Sequence, residues 1–127
     1  MPYFSIVITV YNKAKFIEET LNSVLNQTFQ DFEIIIINDG STDESLDKIE
    51  SFSDKRIKLI TTTNKGVSGA RNTGIEAANA NYIALLDGDD LWENNYLNEI
   101  KCAISVFSSN SVFSTAIAHK YQNRTTP

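Results

Sequence analysis

The 127-residue chain holds one cysteine, Cys102, and one histidine, His119. A single thiol closes no internal disulfide, which fits a reducing compartment. A lone histidine near the end leaves little for a histidine-based triad or a histidine-rich zinc site. No apolar run approaches the roughly 20 residues of a membrane-spanning helix, and Met1-Pro2-Tyr3-Phe4-Ser5 carries no charged signal-peptide head. The expected location is cytoplasmic, the inner face of the membrane included. Gly66, Gly69 and Gly74 do not make G-x-G-x-x-G, and no G-x-x-x-x-G-K-S/T follows a strand, so dinucleotide dehydrogenases and P-loop enzymes are set aside. Positive charge is also short: a net charge of -5 argues against nonspecific nucleic-acid binding. A phosphate-bearing small ligand would therefore need a metal as mediator.

What remains is an ordinary soluble composition, 42% hydrophobic and 21% charged, of a length suited to one core. One α/β domain is expected over residues 1–118, with a polar tail at 119–127. Ser5 to Val10 is β-branched and apolar, a first strand. Phe16, Ile17, Thr20, Leu21, Val24 and Leu25 recur at helical spacing. Glu33 to Asn38 reads as a strand buried on both faces of a parallel sheet. Ser41 and Glu44 have capping-box spacing before a helix carrying Leu46, Ile49 and Phe52. Arg56 to Thr61 alternates as an edge strand would, and Val67, Ala70, Arg71, Gly74, Ile75 and Ala78 make the next helical stripe. A fourth helix carries Leu97, Ile100, Ile104 and Phe107, with Asp90 and Glu93 in capping spacing, and Val112 to Ala118 is a candidate fifth strand.

Strands alternating with helices imply a mainly parallel sheet with helices on both faces. Ligands bind such sheets beyond the carboxyl ends of the strands, where strand order reverses. Those ends are Tyr11 and Asn12, Asp39, and Asp87 to Asp90. In the last of them, Tyr82-Ile83-Ala84-Leu85-Leu86 reads as a buried strand that runs straight into Asp87, Asp89 and Asp90. Buried charge without a partner costs several kcal/mol or more. No lysine or arginine lies close in sequence, which makes Mg²⁺ or Mn²⁺ the expected partner. Asp90 alone is explained as a cap for a helix beginning near Leu91.

The other residues have plain readings beside functional ones. Asp39 serves as a turn residue before Gly40, or accepts a base N–H. Tyr11 packs in the core, or stacks a nucleobase. Arg71 makes a surface salt bridge, or meets an anion from the first turns of its helix.

Taken together and in order, Ser5-Ile6-Val7-Ile8-Thr9-Val10-Tyr11-Asn12, Leu25 to Glu33, Asn38-Asp39-Gly40-Ser41-Thr42-Asp43, Gly66-Val67-Ser68-Gly69-Ala70-Arg71-Asn72 and Leu86-Asp87-Gly88-Asp89-Asp90 resemble the amino-terminal half of family 2 glycosyltransferases. The likeness runs from about Phe4 to about Tyr96. It implies a GT-A fold, a nucleotide-diphosphate sugar donor, most simply a UDP-sugar, and inverting transfer to a hydroxyl of a glycan or lipid-linked acceptor in polysaccharide or cell-envelope glycan synthesis. By that likeness Thr9, Tyr11 and Asn12 lie at the nucleotide, Asp39 hydrogen-bonds the base and Arg71 approaches the nucleotide. Asp87 and Asp89 form the Asp-x-Asp motif, Asp87 toward the ribose or base and Asp89 on Mn²⁺ or Mg²⁺. Asn38 stands where an aspartate is common. The family's base lies well downstream of that motif, whereas no Asp or Glu follows Glu99 here. The resemblance therefore implies a donor-binding half without its catalytic base.

Two other readings stay open: a noncatalytic nucleotide- and metal-binding module, and a phosphoryl-transfer enzyme with Asp87 as nucleophile. A receiver-like domain would need an acidic pair where Tyr11 and Asn12 stand. Sheet strands missing from a half-domain would leave an exposed edge, from which association between copies is expected.

Overall fold

A computed structural model describes residues 1–106. The elements alternate as β1 (Phe4–Val10), α1 (Ile17–Leu25), β2 (Phe32–Asp39), α2 (Ser45–Glu50), β3 (Ile57–Thr62), α3 (Gly66–Ala77), β4 (Tyr82–Asp87) and α4 (Tyr96–Val106). All pairings are parallel, in the order β3-β2-β1-β4. From β1 the chain steps outward through β2 to β3, then returns across the sheet to lay β4 on the other side of β1. The strand order thus reverses between β1 and β4, and the register sets Thr9 beside both Ile37 and Asp87.

The two central strands are buried along their whole length, as their unbroken Val/Ile runs require. One face carries Phe4, Ile6, Ile8, Ile34 and Ile36 against residues of α1, α2 and α4, among them Leu21, Ile49 and Leu97. The other carries Val7, Ile35 and Ile37 against Ala70 of α3. That helix lies close enough that a Cβ on Gly74 would collide with Val7 Cγ1. A small residue is needed there, because a displaced α3 would leave the cavity cost of an unpacked Val7.

Several sequence expectations need correction. The strand before the aspartates is not buried on both faces: among the described residues it lies at the edge, with Ile83 39% and Leu85 46% exposed. The cause is coverage, since α3 packs over β1 and β2. Val67 and Ile75 of the α3 stripe are likewise exposed, and its buried residues are Ala70 and Gly74. No capping box forms at Ser41 and Glu44. Asp43 Oδ1 accepts the Ser45 N–H at 2.9 Å, while Ser41 Oγ accepts from the Asn12 N–H at 3.0 Å. Nor does Asp90 cap α4, which starts at Tyr96. The Leu97 N–H donates instead to Oε1 of buried Gln27 at 3.0 Å. Phe107, the candidate strand Val112 to Ala118 and the tail at 119–127 lie outside the described residues. Among the described residues no helix is long and apolar enough to cross a membrane.

Candidate functional site

The β1 and β4 ends are joined by backbone before any side chain acts. The Gly88 N–H donates to the Thr9 carbonyl at 2.9 Å, and the Gly88 carbonyl accepts from Thr20 Oγ1 of α1 at 3.0 Å. A Cβ at Gly88 would stand 3.0 Å from the Thr9 oxygen, so the turn between Asp87 and Asp89 needs glycine for close approach. With its centre fixed on both sides, this turn presents its flanking carboxylates at the carboxyl edge of the sheet.

Here lies a cleft of about 300 Å³, lined by Thr9, Tyr11, Lys13, Asp39, Asn64, Val67, Asp87 and Asp89 among others. Five residues expected from sequence therefore share one cavity: Thr9, Tyr11, Asp39, Asp87 and Asp89. Tyr11 is 44% exposed, which disposes of the core-packing reading.

Asp39 is buried, and its carboxylate is well provided for. Oδ1 accepts from Thr62 Oγ1 at 3.1 Å and from the Lys65 N–H at 2.8 Å, and Oδ2 accepts from the Gly66 N–H at 3.0 Å. The carboxylate from β2 thereby satisfies the amino end of α3, whose own N-cap residue Lys65 offers no side-chain bond. More than a turn former, Asp39 holds the segment that supplies Asn64 and Val67 to the cleft wall.

Arg71 reaches the site through Asp87. Its Nη2 donates to Asp87 Oδ1 at 3.1 Å, and Thr9 Oγ1 donates to the same oxygen at 3.2 Å. Arg71 Nε is buried with no hydrogen-bond acceptor. Asn12 is directed elsewhere. In the left-handed conformation (φ 52°), its Oδ1 accepts from the Thr42 N–H at 2.7 Å and the Asp43 N–H at 3.2 Å, tying the loop after β1 to the loop after β2.

Although no lysine or arginine is near the aspartates in sequence, cations meet them in space. Lys13 Nζ stands 3.3 Å from Asp89 Oδ2, as Arg71 stands beside Asp87. These cations come from the β1–α1 loop and from α3, far from the aspartates in sequence. Lys13 was detectable in one respect, because it directly follows the strand end at Tyr11 and Asn12.

The metal expectation can be tested on the donor set. One carboxylate oxygen from each of Asp87, Asp89 and Asp90 lies within 4.8 Å of the others. Oxygens sharing an octahedral shell with bonds of about 2.1 Å lie about 3 to 4 Å apart, so these hard donors suit Mg²⁺ or Mn²⁺ once their side chains draw together. Asp90, expected only as a cap, joins the group, whereas Asp87 Oδ1 already serves Arg71 and Thr9.

Comparison with known proteins gives a consistent result. The family model of Glycosyl transferase family 2 matches residues 5–124. The uncharacterized glycosyltransferase EpsJ of Bacillus subtilis is 48% identical over 92 residues, 71% of this chain and 27% of EpsJ. The UDP-Glc:alpha-D-GlcNAc-diphosphoundecaprenol beta-1,3-glucosyltransferase WfgD of Escherichia coli is 38% identical over 109 residues, 85% of this chain and 42% of WfgD. The crystal structure of S. aureus TarS 1-349 in complex with UDP-GlcNAc superposes with a TM-score of 0.76 at 26% identity, covering 87% of this chain and 37% of that one. The chain thus spans less than half the length of each of these proteins.

Proposed function

Because the chain belongs to glycosyl transferase family 2, we propose that its cleft binds a nucleotide-diphosphate sugar, a UDP-sugar first among them, for inverting transfer to a glycan or lipid-linked acceptor in cell-envelope polysaccharide synthesis. The observation carrying this reading is the meeting of Tyr11, Asp39, Asp87 and Asp89 in one cleft at the strand-order reversal. An aromatic face suits a base, and a carboxylate suits a base N–H. Arg71 supports the site from behind, through its bond to Asp87. WfgD and TarS support the UDP-sugar class by what their names and complexes contain.

In this reading Asp89 and Asp90 hold Mn²⁺ or Mg²⁺, and Asp87 keeps Arg71 and Thr9 in place beside the nucleotide. The cation, when bound, stabilises the charge that develops on a departing diphosphate. A carboxylate is also needed to take the proton of the acceptor hydroxyl. With no Asp or Glu after Glu99, no residue of this sequence is assigned that role. Residues 1–127 by themselves are expected to bind donor and transfer nothing.

Calorimetry with UDP, in Mn²⁺ and then in excess chelator, tests the binding half. Affinity that falls at least tenfold on chelation supports the reading. Equal affinity in both argues against Asp89 as a ligand, and an absence of binding rejects the donor assignment. A transfer assay with donor and acceptor tests the rest, where turnover by residues 1–127 alone would contradict the missing base.

A further inference from the structure

Lys13 is held by its backbone before its side chain does anything. Its N–H donates to Oγ of the fully buried Ser45 at 2.9 Å, and its carbonyl accepts from the Phe16 and Ile17 N–H groups at 2.9 Å each. The side-chain stem passes over Gly88, where a built Cβ would lie 3.4 Å from Lys13 Cγ. From there the ammonium reaches Asp89 Oδ2 at 3.3 Å, with the two side chains 35% and 32% exposed. Gly88 is itself anchored to Thr9 and Thr20, so the backbones of both partners are fixed while the charge contact between them is soft. Lysine suits such a contact. It is a point charge on a flexible stem, and a partly exposed pair is worth little, which makes exchange cheap.

We propose that Lys13 is an exchangeable counter-ion of Asp89: it neutralises the carboxylate in the metal-free chain and yields it to a divalent cation. This rests on the metal-dependent donor reading above. Cation binding without nucleotide is then a competition with an internal ammonium, and the metal-free chain binds Mn²⁺ more weakly than its carboxylates alone would. Once displaced, the ammonium still lines the cleft, where a diphosphate offers it a new partner. Lys13 therefore couples the two ligands: nucleoside diphosphate relieves the competition, and by linkage the cation strengthens diphosphate binding by the same factor.

The test is a titration of the full chain with Mn²⁺, following free Mn²⁺ by electron paramagnetic resonance, with and without UDP. In Lys13→Met and Lys13→Gln, nucleotide-free Mn²⁺ affinity is expected to rise about two- to fivefold, the range that a partly exposed ion pair permits. The gain in Mn²⁺ affinity on adding UDP is expected to shrink by a similar factor. Lys13→Arg restores the unsubstituted behaviour. Lys15→Met removes the same charge from an exposed position two residues on and is expected to change nothing; a rise equal to that of Lys13→Met would make the effect a general field and overturn the proposal. Unchanged Mn²⁺ affinity in both Lys13 variants, with Asp89→Asn abolishing binding, overturns the role of Lys13 and leaves the donor reading standing. Failure of the unsubstituted chain to bind Mn²⁺, with or without UDP, removes both.

Discussion

Two ends of one sheet treat the same chemical group in opposite ways. At the amino ends of the strands Glu33 is buried, and every direction around it is filled. Ser5 Oγ and the Asn79 N–H donate to Oε2, while Asn79 Nδ2 and Lys58 Nζ donate to Oε1. At the carboxyl ends, Asp87 and Asp89 each face a cation, Arg71 and Lys13, and remain partly exposed. Burial by itself would push the Glu33 carboxyl up, but the bonds from Ser5, Asn79 and Lys58 outweigh it and bring it down to about 2. A carboxylate fully provided for inside the protein has nothing left to offer a ligand. The half-exposed aspartates can change partners, and the site is built from them.

The largest expected effect lies at the amino end. Glu33→Gln keeps the shape but leaves donors from Lys58 and Asn79 facing an amide, and unfolding in urea is expected to lose about 2–3 kcal/mol. Donor affinity, measured where the variant is folded, should stay within about twofold; a larger loss would erase the division between the two ends. The pH dependence follows from the sign of the shift. A carboxyl depressed from 4.5 to about 2 stabilises the fold above its ordinary value and ceases to as pH falls toward 2. That limb is worth about 3 kcal/mol at most. Asp43 and Asp54 are shifted the same way, so Glu33→Gln should flatten the acid limb without removing it.

Asp39 sits between the two cases, and its replacement sharpens the comparison. It is buried like Glu33 yet lines the cleft with Asp89. Asp39→Ala removes both of its bonds to the amino end of α3, leaving only Asn64 Oδ1 at the Gly66 N–H, and is expected to cost about 1–2 kcal/mol in urea unfolding. UDP affinity is expected to fall at least fivefold in the same variant. If only stability moved, Asp39 would belong with Glu33 as framework.

How far these roles are legible in sequence differs residue by residue. The strand ends at Tyr11, Asp39 and Asp87 were readable because unbroken Val/Ile runs stop there, and because parallel sheets bind ligands at such ends. The exposure of β4 was not readable. Tyr82 to Leu86 is apolar throughout, and exposure of Ile83 and Leu85 depends on where α3 comes to rest. Capping failed for a related reason: local spacing suggested Ser41 for α2 and Asp90 for α4, whereas the Ser45 N–H of α2 goes to Asp43 and the Leu97 N–H of α4 to Gln27, in the loop after α1. The same limit hid the Lys13–Asp89 pair, since absence of nearby cations in sequence says little about neighbours in space.

Asp89→Asn carries the smaller effects on folding to their limit. The side chain is about one-third exposed and its recorded partner is a lysine equally exposed, so stability is expected to change by no more than about 0.5 kcal/mol. Metal-dependent UDP affinity, by contrast, is expected to drop at least tenfold, because an amide supplies one neutral oxygen where a hard dication requires charge. Glu33 and Asp89 thus form a crossed pair in one experiment: urea unfolding separates them in one direction and UDP titration in Mn²⁺ in the other. An Asp89 variant that lost stability as Glu33→Gln does, or that kept its UDP affinity, would show that partial exposure and a soft ion pair do not mark the carboxylates this protein uses for binding.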